Sequence, residues 1–498
     1  MASTYRQILK TSSIIGGASF LNILIGLFRI KVVAVLLGPA GVGLLGIFNN
    51  VVAFASTLAG LGVGNIGTRQ VAEAAGGGDA RQLQIARRAL LLATLLLAVL
   101  GGIGFWLLRA QIATLVLRDP AASTDIGWLA IGVALTIAAA SQNALLNGMR
   151  RIGDLARISV VSAVVSTAVA VAAVWWLGRD AIVIVVIATP LAGFILGHWY
   201  VARLPKSAAS APALGELSHQ WRTLLRLGVI FMAAGLAPVA GQLMVRVLVQ
   251  RELGMDALGH FQAAWVISMT YIGFILRAMG TDYYPRLTAV IGDGALVNRM
   301  ANEQTEVALL LASPVLLAML AVAPWVIQLL YSSAFVESVD VLRWQILGDF
   351  VKIASWPLGY ILLASGAGKT YLVSEWGAAA VFVGLTAVLL PVIGISATGV
   401  SFLGLYLAHL AIVYWLAVRR TGFRWSAKVG LLFLSGTFTA LLVVGVSFIS
   451  GWASIALGLI ASLGFGIYAI VSLSEAAELS GPPAKFAALA RRLVRRVF

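Results

Sequence analysis

The feature that most constrains this sequence is a succession of apolar stretches, each about as long as a lipid bilayer is thick. A helix needs about 20 apolar residues to cross the hydrocarbon core, and stretches of that length recur along the whole chain. We therefore predict an all-α polytopic membrane protein with about fourteen transmembrane helices. The predicted spans are residues 12–37, 42–65, 86–108, 126–147, 156–177, 181–202, 224–248, 257–281, 305–330, 340–364, 371–393, 398–418, 428–449 and 452–474.

The composition agrees with a membrane protein and excludes several other classes. Hydrophobic residues make up 60% of the chain, charged residues only 11%, and the mean hydropathy is +0.98. There is no cysteine, so we expect no disulfide, and four scattered histidines predict no metal cluster and no cofactor. The net charge of +16 lies in short loops between spans, so it indicates loop placement and not a nucleic-acid partner.

The basic residues are distributed unevenly between the two sides of the predicted helices. Of the 35 Lys and Arg, 25 fall on the side that holds both termini. The opposite side carries five, at Arg109, Arg118, Arg179, Arg251 and Arg343. Because cytoplasmic loops carry an excess of Lys and Arg, this bias predicts that both termini face the cytoplasm.

The first forty residues are repeated, without a gap, 216 residues later. Each copy has an aromatic residue, two basic residues, a membrane-length apolar run, a glycine turn and the start of a second helix. The identical pairs include Arg6/Arg222, Leu9/Leu225, Leu37/Leu253, Gly38/Gly254 and Gly43/Gly259. Internal repeats in a membrane chain are typical of a two-lobed transporter with its site between the lobes.

The repeat divides the chain into predicted segments. An N-lobe at 1–203 and a C-lobe at 221–420 would each hold six spans, and an even number per lobe makes them parallel repeats. A linker rich in Ala, Ser and Pro joins them at 204–220. Spans thirteen and fourteen occupy 421–475, and the basic tail at 476–498 is predicted to lie as an amphipathic helix on the inner leaflet.

Charged residues inside the spans are the candidate functional residues. A charge at the bilayer centre costs about 2.5–3.5 kcal/mol on insertion scales, so it usually faces a cavity or a partner. The cations are Arg29, Lys31, Arg246, Arg277 and Lys352. Arg246 and Arg277 lie close enough to a span end to snorkel to the surface. Lys352 and Asp349 are three residues apart on one helix and could neutralise each other.

The excess of cations predicts a cavity that accepts an anion. Arg suits a phosphate or diphosphate because its planar guanidinium makes two charge-assisted hydrogen bonds at once. Asn49 is one of several amides within the spans that could bind a polyhydroxylated substrate. Asp349 could carry a proton for coupling or only orient Lys352.

Three motifs resemble those of bacterial O-antigen and enterobacterial common antigen translocases. The run from Trp344 to Lys352, followed by Gly359-Tyr360 and later Glu375, resembles their tenth-span motif. The run from Gly38 to Leu44 resembles their first periplasmic turn, and that from Tyr283 to Leu287 resembles the end of their eighth span. These translocases belong to the multidrug/oligosaccharidyl-lipid/polysaccharide exporter superfamily.

The resemblance covers about residues 1–420 and implies a lipid-linked oligosaccharide flippase of the bacterial inner membrane. It implies two six-helix lobes around a cationic cavity and a substrate of undecaprenyl diphosphate carrying a glycan. Arg29, Lys31 and Arg246 would then hold the diphosphate, with Arg277 and Lys352 nearer the inner side. Membrane lipids and a downstream polysaccharide polymerase or ligase are the other expected partners.

Other functions remain open at the level of sequence. The two spans beyond twelve depart from the translocase pattern and match the fourteen of lipid II flippases, in which the extra pair offers a groove for the lipid tail. A drug/cation antiporter of the same superfamily should have an acidic cavity, whereas these spans are basic. A membrane-embedded polymerase or ligase should carry a large outer loop, and none is present. We therefore expect a transporter without enzymatic activity.

Overall fold

The computed structural model describes residues 2–77, 79–204 and 214–476. Within these ranges the side chains of residues 2–15, 214, 219, 223, 274, 277, 278, 281, 475 and 476 are not described. The predicted tail after Ala476 and residues 205–213 of the predicted linker lie outside the described residues, whereas the end of that linker is helical.

The described chain is helical almost throughout and contains no β-strand in these ranges. Its helices are α1 (Ala2–Ala59), α2 (Val63–Gly76), α3 (Ala80–Leu107), α4 (Arg109–Leu117), α5 (Ser123–Gly148), α6 (Ile152–Leu177), α7 (Ile182–Ala202), α8 (Leu214–Ala289), α9 (Gly294–Leu330), α10 (Ser338–Ala364), α11 (Gly368–Ile393), α12 (Ser396–Thr421), α13 (Ala427–Ser447) and α14 (Gly451–Ala476). Short 3₁₀ turns occupy Pro120–Ala122, Gly178–Ala181 and Ser333–Phe335.

Eleven helical segments of the described chain are long and apolar enough to cross a membrane, and three of them are long enough to cross it twice. Those three run over Gly16–Ala59, Ile152–Ala202 and Gly215–Gly273, with 44, 51 and 59 residues. At 1.5 Å per residue, 44 residues extend about 66 Å, roughly twice the hydrocarbon core. Eleven segments with three counted twice give fourteen crossings, which confirms the predicted all-α polytopic architecture.

A glycine with positive φ interrupts each of the three long segments. Gly38, Gly178 and Gly254 have φ of 64°, 56° and 88°. This region is accessible to glycine at little cost because glycine lacks a Cβ. Gly38 and Gly254 also share an extended ψ, −169° and −176°, and they are equivalent positions of the sequence repeat. The repeat is therefore also a repeat of backbone conformation.

The two turns that follow these glycines pack directly against each other. A Cβ on Gly43 would lie 2.5 Å from the carbonyl oxygen of Met255. A Cβ on Gly259 would overlap the carbonyl oxygen of Pro39. Because the positions Pro39 and Gly43 correspond to Met255 and Gly259 in the repeat, the contact is reciprocal, as contacts about a two-fold axis are.

The chain forms two compact units. The first runs through Gln262 and includes Leu330–Ala334, and it is built on contacts of α5 with α2, α3 and α7 and of α6 with α1 and α7. The first half of α8 belongs to this unit, because Leu224 lies in its buried core and the Trp221 indole donates to the Ala89 carbonyl at 2.9 Å.

The second unit comprises Ala263–Leu329 and the chain from Phe335 onward. Its most buried helix is α10, which packs against α11, α12 and α13. Glycines allow the closest approach of α10 and α12: a Cβ on Gly348 would lie 2.6 Å from the Phe402 ring. The extra pair α13 and α14 packs onto this unit, and Ser462 of α14 donates to the Pro314 carbonyl of α9 at 2.7 Å.

Candidate functional site

The first two predicted site residues, Arg29 and Lys31, extend from α1 to different partners. The Arg29 Nη1 donates to the hydroxyl of Thr189 on α7 at 2.9 Å. The Lys31 Nζ donates to the backbone carbonyl of Tyr331 at 2.5 Å. Positions two apart on a helix do not face the same way, so the two cations occupy different surroundings although they are at nearly the same depth.

Arg29 lies well inside a predicted span, and its partner among the described residues is neutral. It is nine residues before Gly38, which is about 14 Å along the helix. Among the described residues no carboxylate oxygen lies within 4.0 Å of its guanidinium, and Thr189 is its hydrogen-bond partner. The positive charge of Arg29 is therefore held at mid-depth without a neighbouring carboxylate.

Arg246 is buried within the first unit, with 3% of its surface exposed. Its Nε and Nη2 donate to the Oε1 of Gln262 at 3.1 and 2.8 Å, and its Nη1 donates to the backbone carbonyl of Gln242 at 3.1 Å. The guanidinium carbon also lies 5.3 Å from the centre of the Phe261 ring. A buried and tethered guanidinium does not snorkel.

The close approach of α1 and α8 fixes the acceptor of Arg246. A Cβ on Gly46 would lie 2.5 Å from the side-chain amide carbon of Gln262. Glycine at position 46 therefore leaves the space that the Gln262 amide occupies. Gly46 and Gln262 are equivalent positions of the repeat, so this contact belongs to the same reciprocal packing as the glycine turns.

One other predicted site residue, Asn49, is not brought into this group. Asn49 is exposed, and its Nδ2 donates to the Leu45 carbonyl of its own helix at 2.9 Å. Its neighbour Asn50 is buried instead, and the Asn50 Oδ1 has no hydrogen-bond partner among the described residues. Arg277 lies on α8, but its side chain is outside the described residues.

The predicted coupling residue Asp349 is fully buried in the middle of α10. Its Oδ2 accepts hydrogen bonds from the hydroxyls of Ser268 and Tyr271 on α8, both at 2.7 Å. Its Oδ1 has no hydrogen-bond partner among the described residues. The carboxylate thus joins α8 to α10 and retains one unused oxygen.

Lys352 does not pair directly with Asp349. The Lys352 Nζ lies 3.3 Å from the sulfur of Met269 and over the rings of Tyr406 and Phe402, at 5.3 and 5.9 Å from their centres. The Lys352 ammonium lies more than 4.0 Å from the Asp349 carboxylate oxygens, so the two side chains do not form an ion pair. The two charges are neighbours on one helix face but are held by different partners.

The chain matches the family model described as "Polysaccharide biosynthesis protein" over residues 32–340, which is more than half of its length. It belongs to the polysaccharide biosynthesis protein family.

Curated relatives of the chain include the lipid III flippases of Escherichia coli (strain K12) and Shigella flexneri. Each is 24% identical to the chain over 414 residues, which cover 81% of the chain and 96% of the relative. The sequence similarity thus extends over nearly the full length of these proteins.

Solved structures show the fold of the family member independently. The lipid II flippase MurJ, in an inward closed conformation, superposes with a TM-score of 0.69 at 12% identity and covers 93% of this chain and all of its own. An inward-facing multidrug resistance transporter of the MATE family, from the MOP superfamily, also gives a TM-score of 0.69, at 15% identity, covering 80% of this chain and 95% of that transporter. The chain therefore has the helical fold of this transporter superfamily.

Several residues that hold these charges were not singled out in the sequence. Gln262, Thr189, Ser268 and Tyr271 are polar residues within predicted spans, and that was their only local signal. Tyr331 contributes a backbone carbonyl, which no side-chain pattern can indicate.

Proposed function

We propose that this family member is a flippase that moves an undecaprenyl-diphosphate-linked oligosaccharide from the cytoplasmic to the periplasmic leaflet of the bacterial inner membrane by alternating access. The observation that carries the proposal is Arg29, a guanidinium at mid-depth whose hydrogen-bond partner is a neutral hydroxyl. A diphosphate would supply the anion, because guanidinium and phosphate form charge-assisted, two-point hydrogen bonds.

The other basic residues extend this proposal. Arg246 is already oriented by Gln262 and Gln242, so it would present a fixed positive charge with little loss of side-chain entropy on binding. Lys31 has a flexible stem and would exchange its carbonyl partner for a phosphate oxygen. Arg277 and Lys352 would act nearer the inner side, Asn49 would meet the glycan, and the isoprenoid tail would follow α13 and α14 in the lipid.

The relatives support this class of substrate. Both curated relatives are named lipid III flippases, and the sequence similarity covers nearly all of their length. The basic character of the span residues fits an anionic lipid better than an organic cation. We further propose that both termini are cytoplasmic and that a polysaccharide polymerase or ligase receives the glycan.

A second candidate within the same superfamily is flipping of lipid II. It is favoured by the fourteen crossings and by the superposition, which covers the whole of the MurJ chain. Both substrates share a polyprenyl diphosphate, so the Arg29 argument applies equally to each. The two proposals differ in the group that the diphosphate carries.

The test is flipping by purified protein in liposomes that carry a fluorescent undecaprenyl-diphosphate oligosaccharide in one leaflet. We expect Arg29→Ala to reduce the rate at least about 100-fold, the loss associated with several kcal/mol of charge-assisted binding. Arg29→Lys, which keeps the charge without the two-point geometry, should retain intermediate activity. The matched control Arg179→Ala removes an arginine from a loop and should flip like the wild type.

Full activity of Arg29→Ala would exclude a role of Arg29 in holding the diphosphate. Parallel assays with fluorescent lipid II and with a soluble organic cation distinguish the candidates. Transport of lipid II in preference to the oligosaccharide lipid would select the second candidate. Transport of the cation alone would identify an antiporter and overturn both.

A further inference from the structure

A set of titratable side chains in the second unit lies outside the residues proposed to hold the diphosphate. On α11 and α12, the Nε2 of His409 lies 3.6 Å from the Oε1 of Glu375. The His409 side chain is 11% exposed and that of Glu375 is 22% exposed. Tyr371 lies one turn before Glu375 on α11. Glu375 is seven residues from the start of α11.

Tyr406 connects this pair to the centre of α10. Its ring centre lies 6.3 Å from the imidazole of His409 and 5.3 Å from the Lys352 Nζ. Asp349, one turn from Lys352, is within electrostatic range of Tyr406, as is Glu375. The side chains thus form a continuous series from the first turns of α11 to a fully buried carboxylate.

The fixed charges of this series do not balance. By formal charge, with histidine counted as neutral, two carboxylates, Asp349 and Glu375, stand against one ammonium, Lys352. Among the described residues, Tyr406 faces the imidazole from α12 itself, and Tyr371 lies one turn before Glu375 on α11. By that count the formal charge is −1, and one added proton would bring it to zero. Because uncompensated charge is costly in a buried site, one added proton would lower that cost.

His409 has the chemistry to take that proton. Imidazole is the side chain that ordinarily changes charge between pH 5 and 8. Neither ring nitrogen of His409 has a hydrogen-bond partner among the described residues. Protonation makes both nitrogens donors, so the imidazolium could donate to Glu375 after a small approach. The proton comes from solvent and returns to it, and no other bond is made or broken.

We propose that His409 and Glu375 form a proton-binding site whose occupancy is transmitted through Tyr406 to Lys352 and Asp349. This inference rests on the proposed flippase function and names the ion that would drive it. Binding a proton at this site changes the electrostatic potential at Lys352, which lies beside the same tyrosine ring. Asp349, one turn from Lys352, joins α8 to α10 through its hydrogen bond from Tyr271. Proton binding near one end of α11 thereby acts on the helix contact at the centre of the second unit.

The transport test uses the full-length protein in liposomes with an imposed pH difference of one unit. For one coupled proton this difference allows up to about a tenfold effect, and we expect the wild-type flipping rate to change by about threefold or more. In His409→Gln and Glu375→Gln the rates with and without the pH difference should be equal. The control His198→Gln removes an exposed histidine of α7 and should respond like the wild type.

A second measurement detects the site without transport. In protein labelled with ¹³C-histidine, the resonance that disappears in His409→Gln identifies His409. We expect its chemical shift to move with pH and to follow a different curve in Glu375→Gln, whereas the curve of His198 stays the same. An unchanged His409 curve in Glu375→Gln would overturn the pairing.

The two measurements separate failure of this inference from failure of the proposed function. If the wild type does not flip the lipid, the flippase proposal fails, and the histidine titration still decides whether the site binds a proton. The inference is wrong if the wild-type flipping rate does not depend on the pH difference, or if the rate of His409→Gln still depends on it. In either case the proton site does not drive transport.

Discussion

Arg246 illustrates how a charge becomes tolerable inside an apolar helix pair. A buried guanidinium needs hydrogen-bond acceptors, because its desolvation is otherwise uncompensated. Gln262 and the Gln242 carbonyl supply those acceptors, and Gly46 leaves room for the Gln262 amide. Neutral acceptors satisfy the donors without cancelling the charge. That is the property expected of a cation that must later attract an anionic lipid.

Replacing Gln262 tests how far the buried Arg246 guanidinium depends on the Gln262 amide as an acceptor. We expect Gln262→Leu to lower the free energy of unfolding by about 2–4 kcal/mol, because it removes the acceptor of two buried guanidinium hydrogen bonds. Thermal unfolding in detergent measures the loss. Gln242→Leu is the matched control, because Gln242 serves Arg246 through its backbone carbonyl, which the substitution retains. Equal melting temperatures for the two variants would contradict the role of the Gln262 amide.

Asp349 shows that sequence spacing does not by itself define a pair. Lys352, three residues away, was one possible partner, and the carboxylate accepts from Ser268 and Tyr271. Two hydroxyl donors at 2.7 Å satisfy one oxygen of the carboxylate, while the ammonium lies over aromatic rings. The interaction with the ring quadrupole is worth about 0.5–2 kcal/mol and helps to hold Lys352 away from the carboxylate.

At the scale of elements, the breaks in α1 and α8 matter as much as the helices. Gly38 and Gly254 turn the chain with positive φ, and the residues after them pack reciprocally. The contact requires hydrogen in place of a side chain at Gly43 and Gly259, because a Cβ at either position meets a carbonyl oxygen of the other turn. Small residues of this kind allow membrane helices to approach closely.

Substitution at this contact should be costly. We expect Gly43→Ala to reduce the free energy of unfolding by about 1–3 kcal/mol, the usual cost of overpacking a close contact. Gly26→Ala is the control on the same helix, because a Cβ there meets nothing within 4 Å. It should be neutral or stabilising, since Ala favours a helix over Gly by about 1 kcal/mol. Melting temperatures in detergent compare the two, and equal losses would argue against the close contact.

For the whole molecule, the distribution of basic residues makes a prediction about orientation. The absence of cysteine allows single cysteines to be introduced without background labelling. We expect Gly77→Cys, between α2 and α3, to be protected from a membrane-impermeant maleimide in intact cells. Ser450→Cys, between α13 and α14, should be labelled. The reverse pattern would contradict cytoplasmic termini.

Much of the architecture follows from the sequence because hydropathy is a local property. Twenty apolar residues must form a helix in lipid, where no water can satisfy the backbone. The fourteen spans were predictable for that reason, although the second ends at Ala59 and not at 65, because a turn with positive φ at Gly62 precedes α2. The ungapped repeat likewise predicted that Gly38 and Gly254 mark equivalent turns.

The partners of the buried charges were decided only by the tertiary structure. Thr189 is 160 residues from Arg29, Tyr331 is 300 from Lys31, and Tyr271 is 78 from Asp349. Their meeting depends on helix rotation and register, which in a membrane are set by packing of small residues and by hydrogen bonds, since lipid gives no hydrophobic drive between helices. The sequence by itself determined that charges lie within the membrane, whereas packing determined which atoms hold them.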